Sequence, residues 1–333
     1  MTNFIFFIGI DVSKSHIDVS YYWMGHAIYL GVYENTVIGF EKFVAELSNL
    51  SKISIFEWFV CFENTGPYSK ELLHYLLKQH IPCREENPLM ISKSLGMRRG
   101  KSDKVDSQDI CTYAYEKRDK INSTVLDDLD VIKLKTLLSR RDLYVKQKTA
   151  LSVSLKEQKK AMDVDLYEDL NQDNNIMISY YNEHIKGLEN KIKTLMKSNS
   201  EMLKNNELLT TIIGIGMVTA AYLISTTNNF KKITNARKYA CFCGVAPFPN
   251  QSGTKNGRKK VNSMANKKLK SVFSNCVAAA VIHDPQLSVY YHRKLKEGKH
   301  YGVVANAIKN KLIHRAFAVI DRQTPYVKIL SYV

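Results

Sequence analysis

Residues 4–22 read Phe-Ile-Phe-Phe-Ile-Gly-Ile-Asp-Val-Ser-Lys-Ser-His-Ile-Asp-Val-Ser-Tyr-Tyr, and the fold turns on how they are read. The apolar run from Phe4 to Ile8, rich in aromatic and β-branched residues, is the pattern of a central strand covered on both faces. Asp11 stands where that strand leaves the core. Ser13, Lys14 and Ser15 supply turn chemistry and residues 17–22 resume a β-prone composition, so the two halves predict a hairpin. A single acid there would be an ordinary strand end. Other acids in comparable places would change its meaning.

Outward from the hairpin, residues 39–50 have helical spacing (Phe40, Phe43, Val44, Leu47), and residues 53–62 return to strand composition. Glu63 follows the apolar run from Trp58 to Phe62 as Asp11 follows its own. Asn64-Thr65-Gly66-Pro67 turns the chain, with Thr65 the expected cap of a helix over 67–79 whose face is Leu72, Leu73, Leu76 and Leu77. A short strand is expected at 81–84, before Pro88. Strands alternating with helices predict an α/β domain with a largely internal sheet. Ser102 then caps a helix on which Asp103 and Asp106, at i and i+3, share a face with Ile110 and Tyr113, while Asp109 points away. Unless Lys101 and Lys104 neutralise them, two like charges so close call for a divalent cation.

With 333 residues and 45% hydrophobic content, the chain can form two or three domains. Six cysteines without C-x-x-C spacing argue against a zinc site or a disulfide framework. There is no apolar run of about 18 residues and no leader pattern, so a cytoplasmic protein is expected. The net charge of +16 is unevenly placed: residues 1–206 hold 28 basic and 28 acidic side chains, and residues 207–333 hold 20 and 4. A nucleic acid is the expected partner of that last third.

Residues 125–205 are polar and nearly free of Gly and Pro. Ile178, Tyr181, Ile185, Leu188, Ile192 and Leu195 form a heptad seam, which predicts a coiled-coil helical hairpin with arms at 126–162 and 176–203 and a tip at 163–175. Arg140 and Arg141 are candidate nucleic-acid contacts on it. From residue 207 the pattern is that of a helix-hairpin-helix, in which Gly214 and Gly216 would bring the turn close to a phosphate. Residues 246–257 read as a loop, and 267–282, 283–299 and 301–320 as helices. Lys255, Arg258, Lys259, Lys260, Lys267 and Lys268 belong to a stretch with no acid and are further candidate nucleic-acid contacts.

Acids after two buried strands, an acid pair opening a helix and a basic C-terminal third form the layout of metal-dependent phosphoryl transfer. Two Mg²⁺ ions roughly 3.5–4 Å apart suit such chemistry, and four carboxylates suit two Mg²⁺ ions. Gly9-Ile10-Asp11-Val12-Ser13-Lys14, Phe62-Glu63-Asn64-Thr65-Gly66 and Lys101-Ser102-Asp103-Lys104-Val105-Asp106 resemble the motifs of the DEDD transposases of bacterial insertion sequences. Gly244-Val245-Ala246-Pro247 and Ser252-Gly253 resemble that family's C-terminal domain. The resemblance implies a RuvC-like, RNase H-like domain at 1–124, the hairpin at 125–205 and a mostly helical transposase domain at 206–333. It implies Asp11, Glu63, Asp103 and Asp106 as Mg²⁺ ligands and Ser252 as a nucleophile that forms a phosphoserine link. It further implies donor and target DNA, a structured noncoding guide RNA, a dimer or tetramer, and a place near the bacterial nucleoid. Ser263-Met264-Ala265-Asn266 departs from the family's usual Lys-x-Gly step. Two other readings compete: a RuvC-like junction endonuclease using metal-activated water, and a non-catalytic nucleic-acid scaffold.

Overall fold

The computed structural model describes residues 4–96, 102–124, 127–159, 162–252, 255–261 and 264–327, with the backbone alone at 95, 155, 156, 158, 249–252 and 255–260. The chain divides into two compact units, Met1–Leu126 and Asp127–Val333. No helix among the described residues is long and apolar enough to cross a membrane.

The first unit is built on a five-stranded sheet in the order β3-β2-β1-β4-β5, from β1 (Phe6–Val12), β2 (His16–Trp23), β3 (His26–Glu34), β4 (Trp58–Glu63) and β5 (Cys83–Glu86). The expected hairpin is antiparallel, with Asp11 opposite Asp18, and β4 runs parallel to β1 and β5 parallel to β4. Strand β3 is not evident in the sequence. It is a half-buried edge strand whose polar and apolar residues do not alternate cleanly. Met24 and Gly25, both at positive φ, make the two-residue turn that leads into it. Helices α1 (Val37–Ser51) and α2 (Lys70–Lys78) cover one face of the sheet. Thr65 does not cap α2: Ser69 occupies that position and turns its hydroxyl to Glu85.

Strand parity sorts the side chains of β1. Phe6, Ile8 and Ile10 join the core with Phe40 and Phe43 of α1 and Leu72 and Leu76 of α2. Phe7 points the other way, to Ile110, Tyr113 and Ala114 of α4 (Asp103–Glu116), which follows α3 (Pro88–Leu95). Gly9 faces α4 as well. A Cβ on Gly9 would lie 2.2 Å from the Cys111 amide nitrogen and 2.4 Å from the Ser107 carbonyl, so α4 rests directly on the strand backbone. A buried hydrogen bond of 2.7 Å between the Ser20 and Ser107 hydroxyls fixes its position along the sheet.

The second unit opens with α5 (Leu129–Gln158) and α6 (Val164–Ser198), which pack together as a helical hairpin. The expected tip at 163–175 is largely helix, because Asp163 caps α6 through the Asp165 amide and the Asn-rich run is solvated. At the seam, Ile185 and Ile192 are buried while Ile178 and Tyr181 are half-buried, so packing tightens toward the base. There Val131, Leu134, Ile192 and Met196 share one core with α7 (Ser200–Thr210), α8 (Met217–Thr227), α9 (Ala236–Phe242), α10 (Lys267–His283) and α12 (Tyr301–Arg322), with α11 (Pro285–Lys296) alongside. The region read as a loop at 246–257 contains an antiparallel ribbon, β6 (Phe248–Ser252) and β7 (Lys255–Lys260). Pro247, Pro249 and Gly257 disguise it in the sequence.

Replacing Gly9 by Ala must push α4 off the sheet, since backbone atoms have nowhere to yield. The variant is expected to lose at least about 3 kcal/mol of stability in urea unfolding. Gly66→Ala, where a Cβ meets nothing within 4 Å, should lose less, and equal losses at the two glycines would contradict this packing.

Candidate active site

Parity and capping together assemble the acids. Asp11 lies two residues beyond Gly9 and therefore on the α4 side of the sheet, at the strand's carboxyl end. Ser102 accepts a hydrogen bond from the Val105 amide and starts α4 there, which puts Asp103 and Asp106 in its first turn. One carboxylate oxygen each of Asp11, Asp103 and Asp106 falls within 4.8 Å of the others. Glu63 is the residue after Phe62, the partner of Ile10 in the parallel register. It stands outside that trio, yet its charge reaches Asp11.

Crowding acts most strongly on Asp11. Burial first, and then the charges of Asp103, Asp106, Glu63 and Asp18, push its carboxyl up from 3.8 to about 6. Neither Asp11 nor Asp106 forms an ion pair among the described residues. Lys104 lies over the Tyr29 ring at 5.0 Å, and Lys101 lies outside the described residues. Three close carboxylates, one of them destabilised as an anion, are a donor set suited to a hard divalent cation.

Two residues that the sequence reading passes over belong to the same cluster. His16 Nε2 is 3.4 Å from Asp103 Oδ2 and 3.7 Å from Asp18 Oδ2. Asp18 is buried and accepts a 2.7 Å hydrogen bond from the Tyr29 hydroxyl. The phenol stays protonated, since burial and then its bond to Asp18 push it up to about 12. The available signal was the hairpin register, which places Asp18 opposite Asp11 on the same face. His16, Asp18 and Asp103 also bring ligand atoms within 4.8 Å of one another.

The remaining candidates lie in the second unit. Ser252 ends β6, paired in register with Lys255 at the far end of the ribbon. Its side chain and those of Lys255, Arg258, Lys259 and Lys260, like all of Gly253, lie outside the described residues. Gly214, at φ +94°, packs against α10, where a Cβ would meet the Cys276 carbonyl at 2.7 Å. Gly216 caps α8 with no side-chain bond, leaving that helix start open. Arg141 pairs with Glu189 at 2.7 Å and Lys268 with Asp142 at 2.6 Å, while Arg140 and Lys267 are exposed. Asn266, in the segment that departs from the family's Lys-x-Gly step, caps α10.

A chain that joins an α/β unit with converging carboxylates to a strongly basic second unit belongs to the class of enzymes that act on nucleic-acid phosphates. A model of the DEDD transposases of the IS110 type matches residues 8–159, and one described as "Transposase IS116/IS110/IS902 family" matches residues 206–292. The chain is 26% identical to the "Pilin gene-inverting protein" of Moraxella bovis across 97% of its own length and 98% of that protein's. The protein of the same name from Moraxella lacunata is similar to the same extent. An "Insertion element IS110 uncharacterized 43.6 kDa protein" of Streptomyces coelicolor is 26% identical over 43% of this chain. Both models are of IS110-type transposases, and the chain is a DNA transposase/recombinase.

The shift on Asp11 has a definite sign. The folded chain holds the Asp11 proton to higher pH than the unfolded chain, so in metal-free buffer this group's contribution to stability falls as pH rises from about 4 through about 6. A divalent cation should raise the melting temperature at neutral pH, and the gain should shrink as pH falls below about 6. Asp11→Asn should raise the metal-free melting temperature at neutral pH and remove the cation's effect. A cation effect independent of pH would contradict this origin.

Proposed function

We propose that this recombinase cuts and rejoins DNA strands at a divalent-metal site held by Asp11, Glu63, Asp103 and Asp106, with Ser252 as nucleophile and a structured noncoding RNA as guide. The observation that carries the reading is the gathering of Asp11, Asp103 and Asp106 from two segments about ninety residues apart in the chain. A sheet of three antiparallel strands continued by two parallel ones supports a RuvC-like arrangement for residues 1–124. The helical hairpin at 125–205 and the basic segment at 206–333 then serve assembly and nucleic-acid binding.

When bound, one or two Mg²⁺ ions would supply Lewis-acid polarisation of the scissile phosphate and offset its charge. The chain does the rest. Asp11, on the rigid centre of the sheet, and Asp103 and Asp106, on a capped helix start, keep the donor set in place before substrate arrives. Asp18, held by Tyr29, and His16 fix the outer side of Asp103. Ser252 Oγ attacks the phosphorus, a DNA oxygen departs with a proton, and the phosphodiester is kept as a phosphoserine ester. The hydroxyl of the joining strand then displaces Ser252, so no nucleotide hydrolysis is needed. Ser252 and the acids lie on different units, and a site shared between subunits fits an oligomer.

End-to-end likeness to proteins named for pilin gene inversion favours a second outcome of the same chemistry, inversion of a segment between two sites. Site orientation, and not the catalytic residues, would decide between the two.

Asp106→Asn should abolish strand cleavage with DNA binding retained, whereas Asp109→Asn should cleave nearly as wild type. Ser252→Ala should stop cleavage without loss of folding, and its mixture with Asp11→Asn should recover part of the activity. Cleavage by Ser252→Ala at the wild-type rate would hand the case to a water-using nuclease. Sequencing the RNA that copurifies with the protein tests the guide, and no enriched RNA would remove it.

A further inference from the structure

A cavity of about 910 Å³ in the second unit lies between α10, α12 and the foot of the β6–β7 ribbon. Lys270 and Ser274 of α10 and Asn306, Lys309 and Asn310 of α12 contribute to its polar lining, and no acid among the described residues lines it. Lys309 is only 8% exposed and has no hydrogen bond or ion pair among the described residues. Burial and then the charge of Lys270 hold its ammonium below the usual lysine range. The Lys309 stem is buried while its ammonium opens into the cavity, where no carboxylate among the described residues faces it.

Two asparagines that line it turn their amide oxygens away from its open space. The Asn306 and Asn310 Oδ1 atoms are buried and accept no hydrogen bond. Asn306 donates through Nδ2 to the Val245 carbonyl, which ties α12 to the segment that leads into β6. Among the described residues the two cavity lysines have no acid to balance them. A nucleic-acid phosphate supplies the counter-charge, its oxygens accepting hydrogen bonds from both ammonium groups.

We propose that this cavity seats a backbone phosphate of bound nucleic acid, gripped by Lys309 and Lys270. The assignment rests on the reading that this chain handles nucleic acid, and not on the acid site. Val245 and Pro247 precede β6 and Val261 follows β7, so a phosphate here abuts the foot of the ribbon that carries Ser252 at its far end. It would anchor a strand relative to that serine.

The test is fluorescence anisotropy of full-length protein in EDTA, with labelled single-stranded DNA and RNA of one sequence across a salt series. Lys309→Met and Lys270→Gln should each bind about tenfold more weakly, with the slope of log affinity against log salt lower by about one. Lys309→Met should melt no lower than wild type, because it removes a partly desolvated cation that repels Lys270. Loss confined to DNA assigns the phosphate to the DNA substrate, and loss confined to RNA assigns it to a bound RNA. Loss with both assigns it to a seat that either strand can occupy. Wild-type affinity and slope for both strands in Lys270→Gln and Lys309→Met would overturn the proposal. So would a lower melting point of Lys309→Met combined with undiminished binding by Lys270→Gln, which would make Lys309 a structural residue. Asp106→Asn should bind normally in this metal-free assay, so a failed phosphate seat and a failed acid site give different results.

Discussion

The contact between α4 and the backbone of β1 at Gly9 is the constraint on which the first unit depends. With hydrogen as its side chain, Gly9 lets Ser107 and Cys111 approach to distances that no Cβ would allow. The Ser20–Ser107 hydrogen bond stops the helix from sliding. Once α4 is fixed in height and register, the positions of Asp103 and Asp106 follow from the Ser102 cap, and that of Asp11 follows from strand parity. Packing in a dry interior thus sets the geometry of a charged site at its edge.

That geometry is unfavourable without a counter-charge. Asp11, Asp103 and Asp106 repel one another, and burial raises the Asp11 carboxyl to about 6. Such frustration persists in a fold when the surroundings over-determine it, and it concentrates at functional sites. Lys309 in the second unit, largely buried and without an ion pair among the described residues, is the opposite case: a positive charge that an anion would balance. One unit gathers anions and the other lines a cavity with cations, the places that the proposed divalent metal and phosphate would take.

Much of this was legible in the sequence. The apolar runs ending at Asp11 and Glu63 announced buried strands, and Ser102 announced the start of α4. The spacing from Lys267 onward gave three helices close to those observed. What the sequence hid was long-range. Strand β3 lacks clean alternation because it is a half-buried edge, and the β6–β7 ribbon is masked by its prolines and glycines. His16 and Asp18 acquire meaning only through the Asp11–Asp18 register. Lys309 looks like any lysine of a basic helix until its face of α12 is seen to be buried. Each of these depends on what packs against the residue, which local pattern does not encode.

The central claim is that Asp11, Asp103 and Asp106 form one divalent-cation site. Crystals of the full-length protein grown with Mn²⁺ at neutral pH test it most directly, through anomalous scattering at the manganese edge. An anomalous peak bonded to oxygens of Asp11 and of Asp103 or Asp106, absent from crystals of Asp11→Asn, is the expected result. A map with manganese elsewhere and none between these carboxylates would contradict it.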